Sequence, residues 1–337
     1  MSTPAEDSQT WPGEPAFAPI PAHAKLGPAW ATSLVQLMFF AIATLASLVP
    51  VITFVIIAIV EAGGEIDDPA ALLEGPMMGK ALLYALLGQF AVWGGVTLIW
   101  TRVREKRSLA TIGLGGRGWI KRYALGFLGG VVIAFTLGMV AFALTELAGT
   151  TPSDMPDLDN LDYSRLGEPA LFVPLLIVAG LFMFQATVEE VTFRGWMMSS
   201  LAARSGMMPA IFVNSIVFGL LHAHVLSMGI ASGSIALGGI AATGLFLSVL
   251  AWKERSIAGA SGVHSGFNVS ILTTGLGVAM LAEPDVEWLG LFAEVLNEST
   301  GMAEDGTIPV TPELFTQLAV MLTLAIVAAI LLRRRRS

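Results

Sequence analysis

The sequence predicts an all-α fold, a polytopic membrane helix bundle of about eight transmembrane helices. Three observations carry this. Hydrophobic residues fill 55% of the 337 positions and charged residues only 13%, against roughly 25% charged in soluble domains. Eight apolar runs approach the length a helix needs to cross a bilayer, about 20 residues. Lys and Arg gather on every second connection between those runs, the pattern that orients membrane proteins. The 36 glycines agree, because small residues let membrane helices approach closely. The absence of cysteine excludes disulfides, thiolate catalysis and Cys-ligated metal. The net charge of -8 says little about partners, since acids and bases are segregated along the chain.

Residues 1–28 carry Pro4, Pro12, Pro15, Pro19 and Pro21 among small and acidic residues, with no apolar core. This segment is expected to be a disordered cytoplasmic tail rather than a signal peptide, with a docking arm as the alternative and His23 a bystander. Candidate spans follow at 31–60, 79–101, 123–146, 170–193, 208–228, 230–252, 257–281 and 312–332. The first is too long for one upright helix, and Pro50 is expected to kink it. Arg102, Arg104, Lys106, Arg107, Arg117, Lys121 and Arg122 lie between spans two and three. Arg204 follows span four, Lys253 and Arg255 follow span six, and Arg333 to Arg336 close the sequence. The alternate connections, Glu61 to Glu74, Asp154 to Glu168 and Glu283 to Asp305, are acid-rich. Eight spans put every basic connection on one side, which should be cytoplasmic together with both termini.

The expected organisation is a tail (1–28), N-terminal helices one and two with a basic loop (29–120), a helix core holding the intramembrane polar residues (121–282), and an acidic outer loop with a last helix and RRRR tail (283–337). The stretch GLGGRG (113–118) lacks the Lys-Ser/Thr ending of a phosphate loop and reads as a turn. Nothing points to a nucleic-acid partner. The partners expected are the lipid bilayer and a membrane-associated peptide or protein.

Three polar motifs sit in membrane-grade segments, where ionisable groups are costly and mark function. In EEVTFR, Glu190 and Arg194 are four apart and share a helical face, acid first, which favours a pair. Glu189 is rotated about 100° away and is left to point into the bundle. In FGLLH, Phe218 and His222 share a face, whereas His224 falls roughly opposite and reads as interfacial while the helix continues. In HSGFN, His264 and Asn268 share a face, and an imidazole and an amide there can both aim donors at one oxygen. Read singly, each motif also fits a structural role: a solvated helix end, a hydrogen-bonded histidine, an interhelical clamp. Read together, a carboxylate, two imidazoles and an amide from three helices can activate water and stabilise a tetrahedral oxyanion, as peptide hydrolysis requires. Ser261 and Ser265 lack a paired base and do not read as nucleophiles.

EEVTFR, FGLLH and HSGFN resemble, in order and spacing, the EExxxR, FxxxH and HxxxN/D motifs of the CPBP family, the intramembrane endopeptidases related to CAAX prenyl proteases and bacteriocin-processing enzymes, also called Abi proteins. The resemblance spans roughly residues 120–280. It implies that Glu189 and His222 activate the attacking water, that Glu190 with Arg194 braces the helix, that His264 and Asn268 stabilise the oxyanion, and that Phe218 lines the pocket. It also implies an alternative metalloprotease scheme in which Glu189, His222 and His264 bind Zn²⁺. The site is expected in a wet cavity opening toward the cytoplasmic leaflet of a bacterial cell membrane. A proton- or ion-coupled transporter and a catalytically idle scaffold are the competing functions; the former predicts an internal repeat, and none is visible.

Overall fold

The computed structural model describes residues 13, 15–61, 75–148, 158–299 and 312–331. Its helices are α1 (Ala29–Glu61), α2 (Gly75–Ile99), α3 (Trp119–Ala148), α4 (Pro169–Glu190), α5 (Met198–Ser205), α6 (Met207–Leu220), α7 (Ile230–Glu254), α8 (Ala258–Ala282), α9 (Trp288–Ser299) and α10 (Pro312–Leu331). There is no strand among the described residues. A π-helical turn, Trp100–Arg104, extends α2, and a π-helical segment, Val191–Met197, joins α4 to α5 in one continuous rod.

Six of these elements are long and apolar enough to cross a membrane, while α6 and the apolar stretch Thr316–Ile330 of α10 are shorter. The fourth predicted span runs on to Ser205, well past residue 193. The fifth stops early. Its helix has 14 residues, roughly 21 Å of rise, less than the hydrocarbon thickness of about 30 Å. Residues 223–228, expected to continue that span, form a 3₁₀ segment instead. Pro50 lies inside the single helix α1, and its missing N–H does not break it.

Helix α3 lies along α8 with backbones nearly touching. A Cβ on Gly126 would fall 2.3 Å from the Gly259 carbonyl oxygen, one on Gly130 2.1 Å from that of Val263, and one on Gly262 2.1 Å from that of Tyr123. Only glycine permits this approach, which seats the HSGFN helix against α3. Beside a small patch of Met78, Ala81 and Ala293, the interior of the described residues divides into two larger apolar clusters. One centres on Phe39, Trp93, Phe193, Trp196 and Phe218. The other, nearer the acid-rich connections, holds Leu171, Val178, Phe182, Leu276 and Phe292.

The basic connections meet at one end of the bundle. There the Ile257 N–H donates to the Gly113 carbonyl, and Arg122 donates to the Glu254 carbonyl. Arg107 is buried, pairs with Glu105 at 3.0 Å, and donates to Ser199, Ser200 and the Thr111 carbonyl. Burial pushes the Glu105 carboxyl above its ordinary range and the Arg107 guanidinium below its own, and their pairing opposes both shifts. Glycines 113, 115, 116 and 118 all have positive φ, forming the turn expected of GLGGRG. At the opposite end, the Asp162 N–H donates to the Leu281 carbonyl and Arg165 to that of Met280.

The expected disordered tail is corrected over its later half. Ala16, Phe17, Ala24 and Leu26 are buried. The Gly13, Ala18 and Lys25 N–H groups donate to carbonyls of Ala203, Ala110 and Glu105, while Arg204 and Arg255 donate to those of Leu26 and Phe17. The segment straps the basic end. Two of its carbonyls, those of Phe17 and Leu26, are satisfied by arginines from other elements, information absent from local composition. Residues 1–12 lie outside the described residues.

Candidate active site

Glu189 and Glu190 lie far from any helix end. Because α4 runs through the π segment into α5, Glu189 sits roughly 24 Å from Ser205 along the axis. Glu189 is 4% exposed and Glu190 and Arg194 are fully buried, so the solvated helix end weighed above is not what forms. The Val191 N–H is shared between the carbonyls of Thr187 and Val188, and the Thr192 hydroxyl donates to the Glu189 carbonyl. The π-helical segment that follows, Val191–Met197, is of a kind that is rare and recurs at functional sites. Gly195 lets the Leu109–Ile112 turn approach, since a Cβ would lie 2.9 Å from the Ile112 carbonyl oxygen.

The expected Glu190–Arg194 pair forms at 2.9 Å. The guanidinium also donates to the Gly244 carbonyl of α7 at 3.2 Å and lies 4.2 Å from the centroid of the Phe218 ring. One arginine thus ties α4, α6 and α7 together. Gly244 makes room for it, as a Cβ there would sit 3.1 Å from Phe218 and 3.4 Å from Arg194. Phe218 is the hub of the aromatic packing, edge-on to Phe193 at 5.1 Å and in contact with the rings of His222 at 4.8 Å and His264 at 6.1 Å.

A cavity of about 550 Å³ opens beside this cluster, lined by Glu189, Gln185, His222, His224 and Asn268 among Phe40, Phe90, Trp93, Phe182, Ile271 and Leu296. Three of the four residues assigned catalytic roles reach its wall: Glu189, His222 and Asn268. His264 does not. It is buried behind the wall, with Nδ1 3.0 Å from Glu190 Oε1 and Nε2 3.8 Å from Glu189 Oε2. Phe218 is likewise absent from the lining. The two donors expected at one oxygen are those of His264 and Asn268. They share a helix face, but Glu190 captures the imidazole while the amide turns to the cavity.

A carboxylate only accepts, so Nδ1 of His264 carries the proton that Glu190 receives. By the same argument Nδ1 of His222, 2.8 Å from the Phe218 carbonyl, is the donor, and its Nε2 keeps a free lone pair. Glu189 Oε2 and Glu190 Oε2 are buried and have no hydrogen-bond partner among the described residues.

Two residues escaped the sequence reading. His224 lines the same cavity as His222, their rings 5.9 Å apart. A continuing helix would have set it opposite, but α6 ends at Leu220 and the 3₁₀ turn brings it round. Gln185 bridges α4 and α8: Asn268 donates to its Oε1 at 3.0 Å, and its Nε2 donates to Glu189 Oε1. The signal existed, because Gln185 stands four residues before Glu189 on one helical face.

The cavity is lined by Leu296 of α9 but by no residue of the basic connections. It thus reaches the α9 side of the bundle, next to the acid-rich connections.

The fit of the suggested Zn²⁺ set follows from the same geometry. No three His, Asp or Glu side chains converge closely enough to hold a cation among the described residues. His264 turns one nitrogen to Glu190 and lies behind Glu189. The set Glu189, His222 and His264 as arranged does not fit a metal.

A helix bundle that buries an acid–base cluster beside an apolar cavity defines an integral membrane protein with a site inside the bundle. Residues 170–270 match the family described as type II CAAX prenyl endopeptidase Rce1-like. That segment contains all three motifs, and the match supports placing it in the CPBP, or CAAX protease, family. No curated protein and no solved structure matches the chain.

Proposed function

We propose that this protein is an intramembrane endopeptidase that hydrolyses a peptide bond of a membrane-associated substrate by metal-independent activation of water. The observation that carries the reading is the convergence of Glu189, His222 and Asn268, from three separate elements, on one cavity. Glu189 takes a proton from water held between it and His222 Nε2. The hydroxide attacks the substrate carbonyl carbon, and the C=O electrons move onto oxygen. Asn268 has one amide hydrogen left after its bond to Gln185, and offers it to that oxyanion. Collapse breaks the C–N bond, and the amine leaves with the proton returned by Glu189. His264 acts from behind, held by Glu190, with its Nε2 3.8 Å from Glu189 Oε2. The apolar wall of Phe40, Phe90, Trp93 and Phe182 accommodates a hydrophobic segment of the substrate, prenylated or not. We place the basic end at the cytoplasm, with both termini inside a bacterial cell membrane, on the arginine and lysine distribution.

The test is incubation of purified protein with prenylated and unprenylated membrane-anchored peptides, with and without a chelator. Cleavage is expected to survive chelation and to fall by about 10²–10⁴-fold in Glu189→Gln, with folding unchanged. Cleavage by Glu189→Gln at the native rate would sink the assignment. Loss on chelation, restored by Zn²⁺, would sink the metal-independent route.

A further inference from the structure

From the geometry we infer that Gln185 is a positioning residue for the reaction, a one-way amide relay that carries the orientation of Asn268 to the carboxylate of Glu189. The inference rests on Glu189 acting as the base.

The relay has a direction. Asn268 Nδ2 donates to Gln185 Oε1 at 3.0 Å, and Gln185 Nε2 donates to Glu189 Oε1. An amide offers a donor on one side and an acceptor on the other. Since Asn268 supplies a donor, the Gln185 carbonyl must face α8, which turns its N–H toward Glu189. That N–H suits an ionised carboxylate and penalises a protonated one whose O–H points the same way. Gln185 is 8% exposed, so little water is at hand to replace it, and its bonds count for more than at a surface.

The consequence is a division of the two oxygens. Oε1 of Glu189 is held by Gln185. Oε2 points to His264 Nε2 across 3.8 Å and has no hydrogen-bond partner among the described residues. Without Gln185 the carboxylate is free to rotate about its last torsion and close onto His264, away from the cavity. Asn268 would lose its anchor at the same time, and both its amide hydrogens would swing free. One glutamine therefore sets two members of the site that come from different helices, α4 and α8.

Two substitutions separate this role from packing. Gln185→Glu keeps the length and the acceptor for Asn268 but removes the N–H aimed at Glu189. Gln185→Leu removes both polar ends. The full-length protein in lipid nanodiscs is assayed on a peptide that the wild type cleaves, with kcat and KM measured across pH. Both variants are expected to lose about tenfold in kcat at pH 7 with KM within about twofold, and the acid limb of the kcat/KM profile moves up by about one pH unit, further in Gln185→Glu. The shape of a pH profile does not depend on how much of a sample is folded, so a less stable variant still answers. A wild-type acid limb in Gln185→Glu overturns the relay, whatever the leucine variant does. Glu189→Gln, run alongside, keeps the two readings apart. If it cleaves, the base assignment falls. If it is inactive while the Gln185→Glu profile stays native, only the relay falls.

Discussion

Arg194→Met tests the arrangement at its most buried point. The guanidinium is fully buried, bonds Glu190 at 2.9 Å and the Gly244 carbonyl at 3.2 Å, and lies 4.2 Å from the Phe218 ring centroid. Methionine fills part of the volume but leaves the Glu190 carboxylate in the interior with only His264 Nδ1, at 3.0 Å. Removing one partner of a buried pair costs about 3–5 kcal/mol, because the remaining charge is uncompensated. Loss of the ring contact adds about 1–2 kcal/mol. At about 1.4 kcal/mol per factor of ten, the folded-to-unfolded ratio should drop by at least about 700-fold. The double variant Glu190→Gln with Arg194→Met leaves no stranded charge and should recover about half of that loss. The assay is denaturant unfolding in detergent micelles, followed by tryptophan fluorescence. An Arg194→Met midpoint within error of the native protein would refute the reasoning. So would a double variant whose loss equals the sum of the two single losses.

Two further outcomes address the scaffold. Gly262→Ala should destabilise by about 1–3 kcal/mol, the cost of overpacking, because its Cβ would lie 2.1 Å from the Tyr123 carbonyl oxygen. Gly138→Ala, with nothing within 4 Å, should stay within about 0.5 kcal/mol of native; equal midpoints for the two in thermal unfolding would contradict the α3–α8 contact. Phe17→Ala should cost about 3 kcal/mol, since the ring is buried against Gly113 and Ile257. A free tail would show no change in melting temperature.

Much of the site was legible where its logic is local. The four-residue spacing of Glu190 and Arg194 predicted their pair, and the one-residue step predicted that Glu189 would face elsewhere. Both hold because i,i+4 neighbours meet on any helix, and the π segment that follows leaves that pair intact. The His264–Asn268 reading rests on the same spacing. Spacing puts both on one face, but only the neighbours across the interface decide that the imidazole meets Glu190 while the amide meets Gln185. His224 was misplaced for a different reason. The periodicity argument assumed a helix through His222, and α6 ends two residues earlier.

By itself the sequence determined the helical class, the sharing of one bundle end by the basic connections, and the residue types brought into the membrane. Those follow from hydrophobic run length, charge distribution and the 3.6-residue turn, which need no partner to act. Tertiary structure alone decided which side chains reach the cavity, that a glutamine couples two helices there, and that residues 15–28 are strapped to the bundle. Each depends on how helices rotate, where they stop and which backbone groups a neighbour satisfies, and those are settled only when separate segments pack together.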